Sequence, residues 1–170
     1  ETAASYDYAG AVGQAGDLRN VYYRYKRVAQ FAASFGAILE NSENSKVPDA
    51  PAGLTEALRK SPSGSILFLD NPSEAPIKAP LDGGESINVL PGEILGLVRD
   101  FDLDGTFAIK ANSSRILGFV RQDNTTTLVM YGPTGETGAI HFTVAGATAK
   151  PSAAVWTSKD SGQWTLQATF

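Results

Sequence analysis

Cysteine is absent from the 170 residues. That excludes disulfides, zinc-thiolate and iron-sulfur sites and thiol nucleophiles together, and it leaves the redox compartment open. Histidine occurs once, at His141, so a multi-histidine metal site is excluded as well. Charge is sparse at 19%, and 14 Lys and Arg against 18 Asp and Glu leave a net charge of -4. Such a chain has no long-range attraction to phosphate backbones or anionic lipid, so neither nucleic acid nor membrane is an expected partner. No apolar run approaches the roughly 20 residues of a spanning helix. The sole methionine is Met130 and the first residue is Glu1, which leads us to expect a piece processed or excised from something longer. What is present is enough apolar matter to fold: 42% hydrophobic residues in 17.9 kDa, the size of one domain, or of one domain plus an appendage.

Between residues 17 and 39, Leu18, Val21, Tyr22, Tyr25, Val28, Ala29, Ala32 and Phe35 recur at the three-and-four spacing of one helical stripe. Asp17 is the expected N-cap. Arg19, Arg24, Lys26 and Arg27 form a cationic patch whose simplest reading is a solvated face. An amphipathic helix of this kind needs a surface to cover its stripe, and the rest of the chain reads as sheet; its natural partner is expected to lie elsewhere. Residues 41–53, NSENSKVPDAPAG, are polar with two prolines and read as a linker at a domain boundary. A short helical turn is expected at Leu54 to Lys60.

Beyond Ser65 the period changes to about nine strand-length segments, SILFLD, ESINVLP, EILGLVR, TFAIKA, RILGFVR, TTLVMYG, AIHFTVA, AAVWTS and QWTLQATF. Their spacing predicts an antiparallel sandwich-like domain over 54–170, whose sheet is expected to continue past Phe170 in a parent chain. Ile116 to Arg121 and Thr126 to Tyr131 are nearly continuous apolar runs, expected as central strands buried on both faces. The fold class is mainly β, or α+β as cut.

DFDLDG sets Asp100, Asp102 and Asp104 at the first, third and fifth positions of a calcium loop with Gly105 at the sixth. Position twelve, which should supply a bidentate Glu, is Ala111, and strands flank the segment. The favoured reading is a hairpin turn whose carboxylates cap backbone amides, with calcium the alternative. GPTGETG at Gly132 to Gly138 lacks the Lys-Ser/Thr pair of a phosphate loop and reads as a hairpin loop with Glu136 solvent-exposed. His141 reads as an exposed or hydrogen-bonded strand histidine. Trp156, Trp164 and Tyr131 offer faces on which a sugar ring could stack, although core aromatics of a sandwich explain them more simply. Asn112 and Asn124 each open an N-glycosylation triplet, which bears only on a secreted eukaryotic chain.

The opening ASYDYAGAVGQAGDLRNVYYRYKRVAQF resembles the end of the catalytic barrel in glycoside hydrolase family 35, the β-galactosidases. The matching residues are Ser5, Tyr6, Asp7 and Tyr8, then Ala15, Gly16 and Asp17, then Tyr23, Tyr25 and Lys26. ALRKSPSGSILFLDN and the stretch from Leu90 to Gly138 are similar to the β-rich second domain of that family's larger members. Residues Ala11 to Gln14 depart from the family's Ala-Pro-hydroxyl-Glu.

The resemblance implies that residues 1–40 are the last strand and helix of a (β/α)8 barrel, and that the parent hydrolyses terminal β-D-galactosides with retention. Retention needs two carboxylates about 5 Å apart, and in this family both come from earlier barrel strands. This chain alone is therefore expected to be non-catalytic and to need no cofactor. By matching position Tyr8 would contact galactose. The implied partners are the remainder of the barrel and a galactoside or other glycan, and the implied location is extracellular, periplasmic or lysosomal. The rival expectation is a stand-alone carbohydrate-binding or structural β-sandwich module.

Overall fold

The structure, a computed structural model, describes residues 10–13, 15–45, 47, 51–123, 125–144, 155–159 and 163–170, with the side chains of 155–159 left out. It is mainly β: one helix of four turns leads into antiparallel sheets. Helix α1 runs Asn20–Ser34, breaks at Phe35 and resumes as the single turn α2, Gly36–Leu39. The strands are β1 Glu43–Ser45, β2 Thr55–Ser61, β3 Gly64–Asp70, β4 Ile77–Pro80, β5 Ser86–Val89, β6 Ile94–Arg99, β7 Phe101–Asp102, β8 Phe107–Asn112, β9 Arg115–Gln122, β10 Thr125–Tyr131, β11 Thr137–Val144, β12 Val155–Lys159 and β13 Gln163–Thr169.

Two sheets carry the architecture, β1-β2-β3-β6 and β12-β13-β11-β8-β7, with the two-stranded ribbons β4-β5 and β10-β9 beside them. The main core lies between them. Ile66 and Val98 from the first sheet meet Ile109, Ile140 and Phe142 from the second, and Phe35 and Ile38 close this core from the helical side. On its other face the first sheet turns Leu67, Leu69, Leu95 and Leu97 toward Ala79, Ile87 and Val89 of the β4-β5 ribbon, which makes a second core. Because side chains alternate along a strand, a strand serving two cores must be apolar at every position. ILFL and ILGLV in β3 and β6 meet that demand.

Burial on both faces thus belongs to β3 and β6, and the expectation of it for Ile116 to Arg121 and Thr126 to Tyr131 is corrected. β9 and β10 pair only with each other, so one face of the ribbon looks outward with Val120 and Val129 exposed. The expected helical turn at Leu54 to Lys60 is instead β2, paired in register with β1 and β3. Its Glu, Ala, Leu, Arg and Lys favour helix locally, but two flanking ladders outweigh that preference. The expected linker contains β1, and the helical segment before it contributes Phe35 and Ile38 to the β core. β13 lies between β11 and β12, and Phe170 exchanges backbone hydrogen bonds with Gly135 and Glu136.

Close approach of α1 to the sheets depends on small residues beneath it. A Cβ added at Gly96 on β6 would sit 2.7 Å from the Phe31 ring. Gly96→Val is therefore expected to push α1 off its seat and to cost about 1–3 kcal/mol in urea unfolding. A loss below about 0.5 kcal/mol would mean that the helix rides more loosely than this geometry requires.

Candidate functional site

Helix α1 has two apolar faces. Phe31, Ser34 and Phe35 turn toward the sheets, where Phe35 stacks against Phe31, Phe101 and Phe119 at ring-centre distances of 4.8, 5.2 and 5.7 Å. The amide of Phe119 donates to Ser34 Oγ at 3.0 Å, and the Arg27 guanidinium lies 5.9 Å from the centre of the Tyr131 ring. The rest of the expected stripe lies on the opposite side. Of the stripe's members only Phe35 enters the core, whereas Leu18, Tyr25 and Val28 remain 48, 63 and 64% exposed. The seat of the helix was missed in the sequence although Phe31, Ser34, Phe35 and Ile38 repeat the same three-and-four spacing. The stronger stripe masked the weaker.

Asp17 does not cap the helix, whose N-cap is Arg19 with no side-chain capping bond. Instead the Asp17 carboxylate lies 3.6 Å from Arg19 and its carbonyl accepts from the Gly13 amide. The helix carries Arg24, Lys26 and Arg27 and no acidic residue. The exposed stripe is thus flanked by cations on a chain of net negative charge.

The aspartates of DFDLDG serve separate partners. Asp100 pairs with Lys110 at 3.0 Å; Asp102 Oδ1 accepts the amides of Asp104 and Gly105. Asp104 Oδ1 accepts the amides of Thr106 and Phe107, and its Oδ2 accepts the Thr126 hydroxyl at 2.6 Å. Among the described residues no cluster of three or more His, Cys, Asp or Glu could hold a metal. Burial raises the Asp104 pKa, but these three hydrogen bonds and Arg121 together hold it below the ordinary carboxylate value. A depressed folded pKa stabilises the protein above the unfolded value, and that stability is lost as pH falls through the folded one. Thermal melts from about pH 6 down to about pH 2.5 should show Asp104→Asn losing less Tm on acidification than the parent chain. Equal slopes would remove Asp104 from the acid response.

Arg115 at the start of β9 is the one buried charged residue among those described. Its Nε and Nη2 donate to Glu93 at 2.6 and 2.8 Å, its Nη1 to both oxygens of Glu136 at 3.0 and 2.9 Å, and Nη2 also to the Asn88 carbonyl at 2.6 Å. The expectation of an exposed Glu136 is corrected: its side chain is 17% exposed because the hairpin loop folds back onto a guanidinium 21 residues earlier in the chain. Burial lowers the Arg115 pKa, and the two carboxylates more than reverse that. Both carboxylates pair with one cation, and Glu93 also accepts the Leu90 amide at 2.8 Å. Tyr131 lies nearby, its phenol pushed up by burial and by Glu93.

His141 bridges two elements. Its Nε2 lies 2.8 Å from Glu85 and its Nδ1 3.0 Å from the Thr165 hydroxyl. A carboxylate only accepts, so Nε2 carries a proton toward Glu85. Together with the 2.6 Å pair between Asp82 and Arg99, this fixes the loop before β5 to both large sheets. It is a brace.

The sugar platforms divide. Trp164 packs against the main core and Tyr131 is half-buried, while the Trp156 side chain lies outside the described residues, as does Tyr8. A groove of about 570 Å³ between the end of α1 and β9 has Phe101 and Phe119 in its lining, and Arg121 lies 5.7 Å over the Phe119 ring. Asn112 is buried, accepting the Val98 amide and donating to the Ser114 carbonyl, so it presents no amide for glycosylation; Asn124 lies outside the described residues. Compared with known proteins, the chain matches no family model and no curated sequence.

Proposed function

We propose that this chain is the non-catalytic end of a β-galactosidase-like glycoside hydrolase, the barrel-terminal helix and the β-domain that braces it. The parent would hydrolyse terminal β-D-galactosides with retention. The observation that carries the reading is the two-faced helix: α1 and its C-cap seat Phe31 and Phe35 on the chain's own sheets, while α1 presents Tyr25 and Val28 outward. A helix on the outside of a (β/α)8 barrel buries such a stripe on the barrel wall. The resemblance of ASYDYAG and of the stretch from Leu90 to Gly138 to family 35 supplies the identity of the barrel, and Tyr8 is the residue it would lend to the galactose site.

The commitment of Glu93 and Glu136 to Arg115 supports a silent chain. Isolated and freed of contaminating enzyme, it is expected to hydrolyse an aryl β-galactoside no faster than buffer. An antibody against the chain should detect, in its source, a denatured band several times larger than 17.9 kDa that travels with β-galactosidase activity. A band at 17.9 kDa alone would overturn the proposal in favour of a stand-alone module.

A further inference from the structure

A strand at the rim of a sheet carries a row of backbone donors and acceptors without partners, and folded proteins blunt such rims with charge, proline or brevity. Most rims here follow the rule. β1 is three residues with Glu43, β7 two with Asp102, β12 ends in Lys159, β4 contains Lys78 and Pro80, and β6 ends in Arg99. β10 does not. Its seven residues, TTTLVMY, carry no charge and no proline, and they are rich in the types that favour extended backbone. It pairs with β9 alone, and among the described residues no backbone hydrogen bond leaves it for any other element. The irregularity in this ladder is an extra residue on β9, Leu117, so β10 itself runs without a bulge that would turn its rim away.

We propose that the outer rim of β10 is a pairing site for a second copy of this chain, whose own β10 adds antiparallel across a two-fold axis. Only extended backbone satisfies a row of alternating amides and carbonyls, which sets the occupant's conformation. Its identity follows from self-complementarity. With the axis at Leu128, Thr127 faces Val129, Thr126 faces Met130 and Thr125 faces Tyr131, a register with no like charges opposed. Directly opposed residues share a face, so the half-buried Leu128 and Met130 of each copy continue one apolar surface while Thr127 and Val129 stay outside. The two-fold operation closes the assembly at a dimer. None of this depends on what the parent enzyme is.

One seven-residue rim buries less than a standard interface, so the dimer should be weak and seen at about 200 µM but not at about 5 µM. Sedimentation of the full chain is expected to give twice the 17.9 kDa mass at the higher concentration. The double variant Thr127→Lys with Val129→Lys sets lysine against lysine across the axis and should remain monomeric. Tyr25→Lys with Val28→Lys, on the exposed stripe of α1, should dimerise as the parent does. A parent chain that stays monomeric, a dimer that survives the β10 lysines, or one abolished by the α1 lysines would each overturn the proposal. Amide exchange of the unaltered chain decides the matter even where a variant folds poorly: alternate amides of β10 should slow by about tenfold between the two concentrations. Unchanged exchange in β10 alongside a doubled mass would place the interface elsewhere.

Discussion

Replacing Arg115 with Met is expected to cost about 3–5 kcal/mol in urea unfolding, a large part of what a domain of this size has to lose. The guanidinium is 3% exposed, and the carboxylates it neutralises are 16 and 17% exposed. The cost comes less from the bonds lost than from the two anions left behind without a counter-charge in a poorly hydrated place. Met fills the space of the stem but takes the guanidinium from Glu136 and the Asn88 carbonyl and leaves Glu93 only the Leu90 amide. Arg115→Lys should cost less, since an ammonium keeps the charge while losing the planar fork that reaches three acceptors at once. If Met were tolerated within about 1 kcal/mol, water would have to reach both carboxylates, and the cluster would be a surface feature.

Phe35→Ala should be comparably damaging, at about 3–5 kcal/mol. Phe35 is fully buried, and its ring touches aromatic rings from α1, β7 and β9. Its removal leaves a cavity at the joint between α1 and α2, where rigid rings on three sides have little room to collapse. The test has a second readout. Amides of α1 should exchange faster in Phe35→Ala by a larger factor than those of β3, because the ring is the helix's principal anchor while β3 is held by two ladders. Uniform acceleration along the chain would mean that α1 and the sheets open together.

Strands were readable wherever their burial was legible in their own residues. Each of the nine segments read from apolar runs and turn residues coincides with a strand, β3, β5, β6 and β8 to β13. The four that were missed are short, as β1, β4 and β7 are, or written in helix-favouring letters, as β2 is. What decides β2 is the partner on each side, and no window of its own sequence contains them. The same holds for Glu136: nothing in GPTGETG announces that Arg115 waits to receive its carboxylate. The calcium-like spacing of Asp100, Asp102 and Asp104 was a case where local chemistry sufficed, because short carboxylates in a turn find nearby amides first. Tyr8 lies beyond the described residues, so its assignment to galactose rests on the resemblance alone.

The sheet containing β3 and β6 is a wall shared between two rooms. Leu67, Leu69, Leu95 and Leu97 line one side, and Ile66 and Val98 the other. Neither room can empty without stripping the wall of half its cover, so the cores are not independent reserves of stability. Damage to the β4-β5 ribbon is felt at Phe35 through a layer one residue thick. Cooperativity in this chain is therefore a property of two strands, and heat should carry both cores through one transition even though no apolar residue belongs to both.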